Sequence, residues 1–196
     1  MNHLTVLPDE VITPRGPVSE TFLSIGIQGF AAACRYVHQL PYGYNTNRDD
    51  VLILFKEKMG SCATKHAVVA TLAEESGLAV SKSIGIYPMT EALVTGTQKI
   101  LAKYDLPYLP MLHCFLGYRD YRVDLTEGNR NGKNGPVEEF LFTARVTPNI
   151  SEKEEYRLYR QALKDTILAR EGMQDIEVKR ILHAREEGIQ LLKSNI

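Results

Sequence analysis

Residues 60–77 read GSCATKHAVVATLAEESG. Nearly every side chain from Ala67 to Ala73 is small or apolar, and a helix that is apolar around most of its circumference is a buried one. Ser61 stands where an N-cap residue belongs, and Gly77 where a helix closes in the left-handed conformation. Cys62 then falls in the first turn. There the unpaired backbone N–H groups and the positive end of the helix dipole favour an anion. A thiolate so placed has a lowered pKa and is the stronger nucleophile at neutral pH. Gly60 removes a side chain where a substrate backbone would have to come close.

Working outward from this helix, Asp49–Met59 reads as a short helix, acidic at its start and basic near its end. Residues 42–47 are a loop by composition. Glu20–Leu40 carries a helical stripe that Pro41 stops. Residues 1–19, rich in Pro and polar residues, are expected to be an extended arm. On the C-terminal side, Leu78–Met89 reads as a strand and Thr90–Tyr104 as a helix. Pro107–Tyr118 and Tyr121–Thr126 read as two strands, and Glu138–Thr147 as a third candidate. Between them Glu127–Pro136 (EGNRNGKNGP) reads as a long flexible loop. From Ser151 the chain turns charged and helical, with Ser151 and Glu154 spaced as a capping box. The expectation is an α+β fold in one domain over 1–196: a buried helix opened by Cys62 and packed on an antiparallel sheet, with C-terminal helices. Its core spans 20–147 and its helical extension 148–196.

Bulk composition agrees. The chain has 196 residues, enough for one well-filled core, with 44% hydrophobic and 24% charged side chains. The 23 basic and 24 acidic residues leave a net charge of −1. That gives no electrostatic reason to bind nucleic acid or an anionic membrane. No apolar run approaches the roughly 18 residues needed to span a bilayer. The first residues carry Pro8, Asp9, Glu10, Pro14 and Pro17 where a signal peptide would be apolar. A cytoplasmic location is expected. An odd count of three cysteines argues against a disulfide framework. Cys34 and Cys114 read as core residues.

The two strands 107–118 and 121–126 suggest where a base might come from. Folded about a turn between Tyr118 and Arg119, Leu112 faces Leu125, Cys114 faces Val123 and Leu116 faces Tyr121, an apolar face. The same register sets His113 opposite Asp124 and Phe115 opposite Arg122. Directly opposed residues have Cβ atoms about 5 Å apart, within reach of an imidazole–carboxylate hydrogen bond. Such a bond fixes the tautomer and leaves the other ring nitrogen able to take a proton.

The run from Gly60 to Ala67, leading into Leu72, Ala73 and Gly77, resembles the nucleophile helix of the transglutaminase-like superfamily, within the papain-like world of thiol chemistry. The later His113 and Asp124 follow that superfamily's order of Cys, His and Asp. The resemblance covers roughly residues 50–126. It implies Cys62 as nucleophile, His113 as base and Asp124 as the carboxylate that orients it. The family's aromatic near these residues is often Trp; this chain has none, and Tyr118, Tyr121 and Phe115 are the candidates for its place.

For the oxyanion the backbone N–H of Cys62 is the first candidate. Asn45, Asn47, Gln28 and Tyr44 follow as oxyanion or substrate-binding candidates, with turn formation as the plainer role of the asparagines. His66, four residues after Cys62 on the same helical face, and Ser61 are expected to support the site from behind. Cys62, His66 and His113 together could also suggest a metal site, but no second Cys/His pair at ligand spacing exists, so no metal or other cofactor is expected. Lys65 reads as a solvated lysine. The glycines from Gly128 to Gly135 lack the features of a phosphate loop. The functional expectation is a cysteine-dependent acyl-transfer enzyme, an amide or peptide hydrolase working through a thioester on a peptide or small amide. The alternative is a non-catalytic binding or scaffold module of the same fold.

Overall fold

The computed structural model describes residues 3–196, with His3 given by its backbone alone. The chain is α+β, with seven α-helices and a four-stranded antiparallel sheet among the described residues. After a 3-10 turn at His3–Val6 come α1 (Pro17–Ser24), α2 (Phe30–Gln39), α3 (Ile53–Glu57) and α4 (Cys62–Ser76). Then follow β1 (Ser81–Met89), α5 (Thr97–Tyr104), β2 (Leu109–Tyr118), β3 (Tyr121–Val123) and β4 (Phe142–Val146). The chain closes with α6 (Glu152–Ala162), a π turn at Leu163–Ile167 and α7 (Val178–Ser194). The strand order is β3-β2-β1-β4.

Two compact units result. The first takes the chain up to Ile84, with Cys114–Asn129 and Arg145–Ser151; the second takes Gly85–His113, Arg130–Ala144 and Glu152–Ile196. In the first, α4 is the central element, with α1, α2 and α3 against it. Its small side chains let the neighbours come close, and Ala63–Ala70, Leu72 and Ala73 are all buried. Val68 and Leu72 share a core with Phe22, Phe30, Leu116 and Val123. As its sequence indicates, α4 ends at Gly77 in the left-handed region, φ 70°. Ser61 holds the N-cap position with extended backbone, but its hydroxyl makes no capping bond. The second unit has its own core, built around Tyr87, Met89, Leu109, Tyr159, Leu163 and Ile181.

Several expected boundaries move. The helix expected over 20–40 is two helices, broken where Gly26 takes φ 81°. Residues 1 and 2 of the expected arm lie outside the described residues. The remainder is packed: Leu7 and Ile12 are buried, Ile12 N–H donates to Gln28 O at 2.8 Å, and Pro17 starts α1. Residues 49–59 yield only the five-residue α3. The helix expected from Thr90 begins at Thr97, because Gly96 at φ 97° occupies the preceding position. The segment 127–136 is tied down by its asparagines. Asn129 donates to His38 O in the first unit, and Asn134 donates from its backbone N–H to Leu93 O and from its side-chain amide to Ala92 O in the second.

The hairpin register also differs. β2 and β3 pair Leu116 with Val123, Gly117 with Arg122 and Tyr118 with Tyr121. The expected register is therefore displaced by two residues. Arg119 adopts φ 52°, so Arg119 and Asp120 form the turn. A two-residue shift keeps every side chain on its face, since strand alternation has period two. It removes the direct opposition of His113 and Asp124, and β3 ends at Val123, before Asp124. Tyr121, expected in the apolar face, is 53% exposed.

Candidate functional site

Cys62 is the first residue of the fifteen-residue α4 and is half-buried. Cys34 and Cys114 are buried, so of the three cysteines, all within the described residues, Cys62 alone is not shut inside. Burial pushes the Cys34 thiol up to about 12, which keeps it protonated and inert at neutral pH. The sequence signal at Cys62, a thiol between a cap position and a buried helix, thus corresponds to a distinct environment.

His66 lies one turn further on and is fully buried. Its Nδ1 is 2.7 Å from the Cys62 carbonyl oxygen, and the Leu125 N–H donates to its Nε2 at 2.8 Å. A carbonyl facing one nitrogen and an amide N–H facing the other assign the neutral tautomer with its proton on Nδ1. Asp124 Oδ1 lies 3.5 Å from Nε2. The same oxygen accepts from the Thr126 N–H at 2.7 Å and the Thr126 hydroxyl at 2.8 Å. Asp124 is thus held in a short turn just past β3, beside the second turn of α4.

Lys65 corrects the expectation of a solvated lysine, for it has no exposed surface. Its ammonium donates to His38 O at 3.2 Å, to Leu40 O at 2.5 Å and to Asn129 Oδ1. These oxygens replace water for a cation that the packing of α2 on α4 has enclosed. Burial lowers its pKa from 10.5 to about 8, with the Asp124 charge acting in the opposite direction. Lys82 on β1, also buried, donates to Ala63 O at 3.0 Å. Lys82, Thr126 and Asn129 are not singled out by the sequence, and Lys65 is misread there. The available sign was a Lys-His doublet inside an otherwise apolar helix.

The loop before α4 is bound closely to it. Asn45 donates from Nδ2 to Glu57 Oε2 at 2.8 Å and to Met59 O at 3.0 Å, and its Oδ1 accepts from the Thr64 hydroxyl at 2.7 Å. Both amide protons of Asn45 are engaged in this bracket. Asn47 is exposed and caps a turn through Asp49 N–H at 3.2 Å; Gln28 is exposed and lends its backbone carbonyl to Ile12. Tyr44 is 38% exposed, its ring set edge-on to that of Tyr42 with centroids 6.0 Å apart.

His113 belongs to the second unit and is buried. Its ring stacks on Phe140, centroids 6.5 Å apart and planes at 8°, and meets the Tyr87 ring at 88°. The structure therefore brings His66 and Asp124 together at the start of α4, within the first unit. Among the described residues no group of three or more His, Cys, Asp or Glu side chains is arranged to hold a metal ion. Among them, too, no helix is long and apolar enough to cross a membrane.

Comparison of the chain with protein-family models, with curated proteins and with solved structures returns no match.

Proposed function

We propose that the chain is a cysteine-dependent acyl-transfer enzyme, an amide or peptide hydrolase of transglutaminase-like fold acting through a thioester on Cys62. The observation that supports this reading is the place of Cys62: a half-buried thiol at the first position of a long, buried helix. The dipole and the outward N–H groups of that first turn favour its thiolate, and the same N–H groups suit a developing oxyanion.

In this reading the Cys62 sulfur attacks a carboxamide carbon. The C–N bond breaks, the thiol proton passes to the leaving amine, and a thioester remains. Water then adds to the thioester carbon, loses a proton to the base, and releases a carboxylic acid and the thiol. His113 is the proposed base and Asp124 its orienting carboxylate. These roles rest on the order of the three residues along the chain and on the family resemblance. His66 is not given the role of base, because both its ring nitrogens are engaged with backbone groups. Three thiols without a disulfide suit a reducing compartment, and the cytoplasm is the proposed location.

One observation favours the second reading, a non-catalytic binding module. Asp124 Oδ1 already accepts two hydrogen bonds from Thr126, a structural use of that carboxylate. Alkylation by iodoacetamide separates the two. At pH 6 Cys62 is expected to react at least about tenfold faster than free cysteine, as thiols of lowered pKa do. His113→Gln is expected to abolish that advantage. A Cys62 rate no higher than that of free cysteine removes the enzyme reading.

A further inference from the structure

We propose that Lys65 and Asn129 form an isopeptide bond, from Nζ of the lysine to Cγ of the asparagine, which fastens α4 to the turn past β3. The proposal makes no use of Cys62 and goes beyond the acyl-transfer reading.

Lys65 is an amine with nothing outside to react with. Its side chain has no exposed surface, so only a group already inside can meet it. Three oxygens do: the backbone carbonyls of His38 and Leu40, and Oδ1 of Asn129. Attack at either backbone carbonyl would cut the chain. Attack at the third, a primary amide, releases ammonia and leaves the backbone whole. Contact with Oδ1 sets Nζ within about 4 Å of Cγ, from a carbonyl bond of about 1.2 Å and a hydrogen bond of at most about 3 Å. The amide is also held from its other end, where Nδ2 donates to His38 O at 3.0 Å. That carbonyl accepts from Lys65 Nζ as well, at 3.2 Å. The attacking nitrogen and the leaving nitrogen therefore share one acceptor, one on each side of the carbon where they would exchange. Such fixed placement is worth effective molarities of about 10⁵ M or more, which an unactivated amide needs.

The step is an exchange of amines. The neutral Lys65 amine adds to Cγ and the Nζ–Cγ bond forms. One Nζ proton passes to Nδ2, the Cγ–Nδ2 bond breaks, and ammonia leaves. No other reactant takes part. Burial brings the Lys65 pKa down to about 8, so the neutral, nucleophilic amine is plentiful in mildly alkaline solution. The titratable side chains on the packed elements are His38, His66 and Asp124. The His38 ring is engaged by Leu125 O at 3.1 Å, and the His66 ring by Cys62 O and the Leu125 N–H. The Asp124 charge acts on Lys65 and favours its ammonium. Lys65 titrates in the unlinked chain; the bond replaces its ammonium with a neutral secondary amide. The joined residues lie 64 apart in sequence, and a cross-link over a long stretch restricts the unfolded chain strongly.

The test incubates the full chain at pH 7 and at pH 9, denatures it and digests it with trypsin. Mass spectrometry is expected to find residues 59–82 and 123–130 as one branched peptide, uncut after Lys65 and lighter by one ammonia than the two peptides apart. At a pKa of about 8 the branched peptide is expected to accumulate about tenfold faster at pH 9 than at pH 7, in step with the neutral amine. Asn129→Ala is expected to abolish it. Ammonia lost at Asn131 or Asn134, each followed by glycine, persists in that variant and gives no branch. Complete cleavage after Lys65, with residues 123–130 recovered unmodified, overturns the proposal. Conversion of Asn129 to aspartate without a branch also overturns it, since the amide then yields to water and not to Lys65.

Discussion

Leu125 and His66 are joined by a hydrogen bond of 2.8 Å, from the backbone N–H that follows Asp124 to the Nε2 of a fully buried ring. The other nitrogen of that ring faces the Cys62 carbonyl oxygen. One imidazole thus ties the first turn of α4 to the chain just past β3, and the segment carrying Asp124 is held where α4 begins. Its size suits the task, since two nitrogens on opposite sides of a rigid ring satisfy two backbone groups at once.

His66→Phe removes both bonds and sets a somewhat larger apolar ring in the same place. The Leu125 N–H is left in a buried place without its acceptor, at a cost of about 1–3 kcal/mol. Urea denaturation is expected to show a lower midpoint with an unchanged slope. An unaltered midpoint would mean that the ring acts only as filler.

Lys65 makes stability depend on alkaline pH. Its pKa in the folded chain is about 8 against an ordinary 10.5, so between those values the unfolded chain binds the extra proton. Stability from this group is therefore complete above 10.5 and is lost as pH falls through 8. The stability of the parent chain minus that of Lys65→Met is expected to be flat below pH 7 and to grow from about pH 8 upward. Thermal melts of the two proteins across this range give the difference directly, and other titrating groups cancel in it. A difference that shrinks with rising pH contradicts the assignment.

Glu75 acts as a cap supplied from outside. Its carboxylate accepts the Val18 N–H at 3.1 Å and the Ser19 N–H at 2.6 Å, at the start of α1. Gly16, in the N-cap position, has no side chain to do this. Glu75→Ala is expected to cost about 1 kcal/mol, as loss of a helix cap does, and Glu75→Gln less, since one acceptor oxygen remains. A melting temperature equal to that of the parent in Glu75→Ala would show that water replaces the cap without loss.

Gly85 on β1 is the seat of Phe140. A Cβ there would run into the Phe140 ring, the ring on which His113 stacks. Gly85→Ala is expected to destabilise by about 1–3 kcal/mol through overpacking. The double variant Gly85→Ala with Phe140→Leu is expected to recover part of that loss in a thermal melt. Equal melting temperatures for the single variant and the parent would mean that the ring moves aside freely.

Much of the first unit is legible along the chain. The run from Ala67 to Ala73 announces a buried helix, and Gly77 its end, because apolar periodicity and left-handed closure are local properties. The burial of Cys34 and Cys114 follows from their apolar neighbours. The breaks at Gly26 and Gly96 were harder to place. A glycine is tolerated inside a helix as well as at its end, and only the packing selects between the two.

What the sequence determined by itself is local: that α4 is buried around most of its circumference, that β2 is a strand, and which cysteine stands at a helix start. Those follow from periods of 3.6 and 2, which need no partner to be read. Tertiary structure alone decided the β2–β3 register, since two alignments differing by two residues bury the same side chains and the left-handed Arg119 selects one. It also decided that Lys65 and His66 lie inside. A polar side chain can be buried only where partners converge from distant parts of the chain, and here those partners are His38, Leu40, Leu125 and Asn129.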